Sequence, residues 1–223
     1  IAHEIRNPMA SISGSIQMLK EGMDWNQNEV SSRLMDIVMR EVSRLNHLVS
    51  DFLRYARPQK GSSQDFELST LLRESLDLFE NTGGWTDRIQ VETRLGGPRH
   101  LHSDPEQLKQ VLWNLFLNAR DAMPNGGILH VEAREPDADP EGIANRSVEL
   151  TVRDTGEGFT ENALENLFTP FFTTKAEGSG LGLATVKRII EGLQGDVHGE
   201  NHPEGGGRII IHLPVSPKPM EIP

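Results

Sequence analysis

The chain has 223 residues, 36% hydrophobic and 25% charged, with a formal net charge of −11 and no cysteine. This composition is too apolar for a disordered polymer and too polar for a membrane protein. It also excludes disulfides, thiol catalysis and cysteine-ligated zinc. An acidic balance argues against broad, salt-driven nucleic-acid binding. The apolar runs are only a handful of residues long, so neither a membrane span nor a secretory leader is expected within the sequence. Residues 1–57 carry seven basic and seven acidic side chains, so the entire negative excess lies in the remainder.

Ile1, Ile5, Met9, Ile12, Ile16, Leu19 and Met23 recur at steps of three and four. After a break at residues 22–26, a second stripe runs through Val30, Leu34, Ile37, Glu41 or Val42, Leu45, Leu48 and Phe52. Two amphipathic helices forming an antiparallel hairpin follow for residues 1–57. A two-helix hairpin buries too little by itself, so two copies are expected to form a four-helix bundle. Arg57-Pro58 stops the second helix, and residues 58–64 read as a linker. Residues 65–216 then alternate short strands and helices, before a tail at 217–223. Strands are expected at Asp65–Leu68, Ile89–Leu95, Ile128–Arg134, Ser147–Arg153, Asp196–Gly199 and Arg208–Leu213. Helices are expected at Ser69–Asn81, Pro105–Met123, Glu161–Leu167 and Gly182–Leu193, with an irregular excursion at Glu135–Arg146. The fold class is α+β: a helical hairpin followed by a mixed sheet covered by helices.

Three clusters carry chemistry. The first is His3-Glu4-Ile5-Arg6-Asn7-Pro8. Helical geometry puts His3 opposite the apolar stripe, with Asn7 on its face and Glu4 one step around. Pro8 lacks an N–H and should bend the helix there. An exposed imidazole beside a carboxylate suits a nucleophile or a proton-transfer group. A lone surface histidine is more often idle, so the rest of the chain must decide.

The second cluster lies on Pro105–Met123. Leu108, Val111, Leu112, Leu115, Ala119 and Ala122 form an apolar face, and Gln110, Asn114, Asn118 and Asp121 share the neighbouring one. Stacked asparagines are poor helix formers. They make either helix–loop hydrogen bonds or a set of amide oxygens suited to a hydrated magnesium ion. The strand from Val148 ends in Asp154-Thr155-Gly156-Glu157-Gly158, which places a carboxylate beside backbone that a flat ligand can approach. An ionised carboxylate only accepts, so it suits an amino donor. A tight turn, or the triplet of an aspartic protease, would look similar. The protease reading needs a second triplet or a β-rich homodimer, and the flanking sequence is strongly helical.

The third cluster is Phe168-Thr169-Pro170-Phe171-Phe172-Thr173-Thr174-Lys175, followed by Gly178-Ser179-Gly180-Leu181-Gly182-Leu183 and a helix. Spaced glycines before a helix can present N–H groups to phosphate oxygens, and Lys175 can add positive charge. A flexible loop anchored by its aromatics is the simpler alternative. The spacing fits neither the dinucleotide fingerprint nor a P-loop.

In this order, the clusters resemble the catalytic core of a two-component sensor histidine kinase, over nearly the whole chain. His-Glu-x-x-Asn-Pro and Pro-Phe-Phe-Thr-Thr-Lys resemble its nitrogen-regulation and pilus-regulation branch. Residues 1–57 resemble the dimerisation and phosphoacceptor hairpin. Residues 65 to about 215 resemble the ATP-binding domain shared with gyrase, the Hsp90 chaperone and MutL, a sandwich with helices on one face of the sheet. The resemblance implies that His3 is phosphorylated by ATP, that Glu4 orients it, and that Asn7 holds a water for dephosphorylating a response regulator. It assigns magnesium to Asn118, with Asn114 and Asp121 close by, and the adenine amine to Asp154, with Gly156, Gly158 and Phe159 around the base. Thr173, Thr174, Lys175, Gly178, Ser179, Gly180, Leu181, Gly182 and Leu183 belong to its lid and phosphate region. The implied partners are a second copy and a response regulator, with no nucleic acid, and the implied location is the cytoplasm, alone or beneath a membrane anchor. Because the chain starts two residues before His3, a trimmed piece or a shortened first helix is expected.

At Gly207-Arg208-Ile209-Ile210 an arginine stands where the family often has threonine or alanine, so that corner is not assigned to adenine. Two rival readings remain. One is an ATPase that cycles conformation using Glu106 or Asp121 as its water-activating acid, although Asn114 stands where the chaperone-type acid would be. The other is a regulator-binding dimer with a degenerate pocket.

Overall fold

The computed structural model describes residues 62–83, 88–96, 100–134, 147–175 and 178–215, together with helical residues scattered from 13 to 53. His3, Glu4, Asn7, most of the expected linker, the Glu135–Arg146 excursion and the tail lie outside the described residues. The chain divides into two compact units. One is Ile1–Gln59 with Thr173–Leu181, and the other is Lys60–Phe172 with Gly182–Pro223.

In the first unit the described residues on both sides of the expected break are helical. The Ser13 hydroxyl donates to Met39 Sδ at 3.7 Å and joins the two stretches. Val42 is buried, but Leu45 and Phe52, expected on the same inward stripe, are about half exposed, as is Val38. Positions 38, 45 and 52 are seven apart, so they line one side of a helix.

In the second unit, β1 (Gln64–Glu67), α1 (Leu68–Asn81), β2 (Ile89–Leu95), β3 (His100–Ser103), α2 (Pro105–Ala122), β4 (Gly127–Arg134), β5 (Ser147–Asp154), α3 (Glu161–Glu165), α4 (Gly182–Gly192), β6 (Asp196–Asn201) and β7 (Gly207–Pro214) follow in order. The main sheet has the order β2-β4-β5-β7-β6. It is antiparallel except for the parallel β2–β4 pair, whose connection carries β3 and α2. β1 and β3 make a separate antiparallel pair. The sequence reading lacked β3, because His-Leu-His-Ser is too short and polar to give a strand signal. Its alternation shows only in the fold, where Leu101 and Ser103 are buried between exposed histidines.

Strand alternation decides which face is covered. Leu129, Val131 and Ala133 of β4, Val148, Leu150 and Val152 of β5, and Ile209, Ile211 and Leu213 of β7 are buried, while the intervening residues are mostly polar and partly exposed. The helices lie over the apolar face. Phe79 of α1 meets Trp113 and Phe116 of α2 edge-on, with centroids 4.8 and 5.7 Å apart, a favoured aromatic geometry.

α2, which carries the asparagines, is fixed at its start. Buried Asp104 accepts through Oδ1 from the backbone N–H of Glu106 at 3.0 Å and Gln107 at 3.1 Å, and through Oδ2 from Gln107 Nε2 at 2.8 Å. Pro105 occupies the first helical position, where no N–H is needed. Replacing this cap, Asp104→Ala, should cost about 1 kcal/mol of stability, whereas Phe116→Ala should cost about 3–5 kcal/mol by opening the core. Urea unfolding midpoints should rank the two variants in that order.

Candidate functional site

β5 delivers Asp154 on the same face as buried Val148, Leu150 and Val152, so its carboxylate points toward the core and is only 8% exposed. Oδ1 accepts the backbone N–H of Gly156 at 2.8 Å and of Gly207 at 3.2 Å. Among the described residues Oδ2 takes no hydrogen bond. Burial raises the carboxyl above its ordinary value, although the N–H groups of Gly156 and Gly207 and the charge of Arg153 oppose the rise.

This carboxylate lies in the wall of a cavity otherwise lined chiefly by Leu115, Ala119, Val152, Phe159, Leu183 and Ile209, with Asn118 adding an amide. The loop after Asp154 is held from three directions. A Cβ on Gly156 would collide with the carbonyl of Ala122 at the end of α2. The Thr155 hydroxyl accepts from the backbone N–H of Ile128 at 2.9 Å. Asn201 clamps Phe159 through both backbone groups, accepting from its N–H and donating to its carbonyl, each at 2.7 Å. The β6–β7 turn closes over the same point. Gly206 has φ +84°, and a Cβ there would collide with the Asp154 carbonyl, so only glycine fits.

Among the expected residues, Asn118, Asp154, Gly158, Phe159 and Leu183 line one cavity. Asn114 lies one turn before Asn118, and a Cβ on Gly182 would come 4.0 Å from its Oδ1. Gly156 packs against the end of α2, where its missing Cβ leaves room for the Ala122 carbonyl. Asp121 is exposed and accepts from the Arg120 guanidinium at 2.9 and 3.1 Å. Thr173–Leu181 belongs to the first unit and has local order of its own. Thr173 Oγ1 accepts from the Lys175 N–H at 3.1 Å, Gly178 N–H donates to the Lys175 carbonyl at 3.3 Å, and Leu181 N–H donates to Ser179 Oγ at 3.4 Å. Gly180 has φ +66°.

Sequence reasoning missed Asn201, Gly207 and Ile209. The arginine that removed Gly207 and Ile209 from consideration does not obstruct them, because strand alternation turns it to the other face. There Arg208 pairs with Glu200. Period-two alternation along Gly207-Arg208-Ile209 was the available signal.

The histidine kinase-, DNA gyrase B- and HSP90-like ATPase family matches residues 103–217, and the His Kinase A phospho-acceptor domain matches residues 1–61. The chain belongs to the sensor histidine kinase family. It is 37% identical over 218 residues to sporulation kinase A of Bacillus subtilis, covering 96% of this chain and 33% of that protein. It is 35% identical over 216 residues to the sensor histidine kinase ZraS of Klebsiella oxytoca, covering 97% and 45%. The histidine kinase ThkA, solved in complex with response regulator protein TrrA, superposes with a TM-score of 0.66 at 30% identity, over 96% of this chain and 60% of that one. The chain thus spans a third to under half of the length of these two curated relatives. In this kinase core, the Asp154 cavity falls inside the ATPase-family region.

Because burial raises the Asp154 carboxyl, its charge opposes folding at neutral pH, and the opposition fades as pH falls through the raised value. Asp154→Asn should therefore be at least as stable as the parent at pH 7–8, with the advantage vanishing toward acid. Thermal unfolding across that range checks this; an advantage that grows toward acid contradicts it.

Proposed function

We propose that this kinase core binds MgATP in the Asp154 cavity, phosphorylates His3 and passes the phosphoryl group to an aspartate of a response regulator. The observation that carries the reading is a buried carboxylate with one oxygen held by backbone and the other available, in a mostly apolar cavity. A flat heterocycle with an exocyclic amine fits it: the ring meets aliphatic walls and the amine donates to Oδ2. Asn118, the amide in the cavity wall, is the residue type that would hold a partly hydrated magnesium ion, which when bound offsets phosphate charge. Lys175 and the N–H groups of Gly178, Ser179, Gly180 and Leu181 are assigned to the phosphates, as are Asn114, Gly182, Thr173 and Thr174.

In the reaction a ring nitrogen of His3 attacks the γ-phosphorus. The N–P bond forms as the bond to the bridging oxygen breaks, and ADP leaves with that electron pair. Glu4 accepts or orients the proton on the other ring nitrogen. The regulator's carboxylate then takes the phosphoryl group and His3 is regenerated. Asn7, one turn along, would position a water against the phosphorylated regulator, adding a phosphatase activity. The solved complex of ThkA with TrrA supports the class of partner.

The rival carboxylates support transfer over hydrolysis. Glu106 pairs with Lys109 in the first turn of α2 and Asp121 with Arg120, and neither lines the cavity. Exposed Val38, Leu45 and Phe52 at heptad spacing fit a homodimer through the hairpin. No helix among the described residues is long and apolar enough to cross a membrane. A position on the cytoplasmic side, with or without an anchor elsewhere, is part of the proposal.

With magnesium and γ-labelled ATP the chain should acquire label that is lost in acid and kept in alkali, and His3→Gln should acquire none. A variant lacking His3 that is still labelled would overturn the acceptor assignment. Asn118→Ala should weaken magnesium-dependent ATP binding by at least about tenfold, roughly one lost charge-assisted contact. Isothermal titration decides it, and unchanged affinity removes Asn118 from the site.

A further inference from the structure

The face of the sheet opposite Leu150, Ile209 and Ile211 carries a second cluster that the kinase reaction does not use. Across four strands one row runs Asp196 on β6, His212 on β7, Glu149 on β5 and Arg134 on β4, each directly opposite the next in register. His198 lies two residues along β6 on the same face, its ring stacked on that of His212 with centroids 5.8 Å apart and 19° between planes. One ligand atom from each of Asp196, His198 and His212 lies within 4.8 Å of the other two. Behind His212, Nε2 sits 3.3 Å from Glu149 Oε2, and Glu149 Oε1 accepts from Arg134 Nε at 2.9 Å. Glu149 is thus held between His212 and Arg134, each on a neighbouring strand.

From this arrangement we propose that Asp196, His198 and His212 form a binding site for zinc or a similar divalent transition ion. Two imidazoles and one carboxylate match the donors that zinc takes, and they disfavour magnesium and calcium, which take oxygen ligands. A carboxylate holding the remote nitrogen of a ligating histidine is the usual outer support of such sites, fixing the tautomer and raising basicity. With Nε2 of His212 on Glu149, Nδ1 is the ring nitrogen left for the ion. Bonds of about 2.0–2.2 Å bring tetrahedral donors to about 3.3 Å from one another, so the side chains close by about 1.5 Å on binding. Because Asp196 and His198 are exposed on an edge strand, rotation about their side-chain bonds suffices. A fourth position stays open to water, and the ion ties edge strand β6 to β7.

The test uses the full 223-residue chain, stripped of metal, with ZnCl2 titrated against a chromophoric chelator. The expected result is one zinc per chain with micromolar or tighter affinity, and a higher unfolding temperature with zinc. His198→Ala and His212→Ala should each weaken binding by about 100-fold, and Glu149→Gln by about tenfold. His100→Ala, on β3, should leave it unchanged. MgATP affinity should stay at the parental value in all of them, which separates failure of this site from failure of the nucleotide reading. Cobalt provides a second readout, since four-coordinate Co2+ on nitrogen and oxygen donors absorbs strongly in the visible. The proposal is overturned if the parent binds no zinc at 100 μM, or if a His198→Ala/His212→Ala double variant binds it as tightly as the parent.

Discussion

The second unit is organised around one buried carboxylate. Asp154 ends a central strand on its core-facing side, and leaving it there bare would be costly. The fold meets part of that cost by aiming two backbone N–H groups, from Gly156 and Gly207, at one oxygen. That arrangement forces the local sequence. The chain must turn back at Gly156 against the end of α2, and β7 must start close enough for the Gly207 N–H to reach. The turn before β7 must press so near the Asp154 carbonyl that no side chain is tolerated at Gly206. Asn201 then fixes Phe159 by two hydrogen bonds to its backbone. The walls of the cavity are consequences of holding the carboxylate in place.

The same economy explains the distribution of charge. The unit carrying the acidic excess is the one proposed to bind a triphosphate. The contradiction is only apparent, because surface charges are screened over about 8–10 Å, while backbone dipoles and a bound cation would act at contact distance. On the opposite face of the sheet two ion pairs run across strands, Arg134 with Glu149 and Arg208 with Glu200.

Much of this was legible from the sequence, for physical reasons. β2 and β5 show in their alternating apolar residues, β4 and β7 in short apolar-rich runs, and α2 in Leu108, Val111, Leu112, Leu115 and Ala119 at helical spacing; all five of these are buried. Asp154, Asn118, Gly158, Phe159 and Leu183 do meet in one cavity. Local pattern could not supply pairings between distant segments. β3 is a strand only because β1 lies beside it, and Asn201 matters only because the β6–β7 turn reaches the Asp154 loop. The contact between Gly156 and the end of α2 is likewise a pairing of distant segments, with the Ala122 carbonyl where a Cβ would be. The roles of His3, Glu4 and Asn7 rest on the motif and on the family match to residues 1–61.

The central claim is that Asp154 Oδ2 accepts from an exocyclic amine, and it is tested most directly by changing the base and leaving the protein alone. Inosine triphosphate keeps the ring, ribose and phosphates of ATP but replaces the amine with a carbonyl oxygen, which would face a carboxylate that can only accept. Titrated side by side with magnesium present, ATP should bind at least about tenfold more tightly than inosine triphosphate, the equivalent of one lost hydrogen bond to a charged group. Equal affinities would show that the carboxylate does not read the base, and the account of the site built on Asp154 would fail.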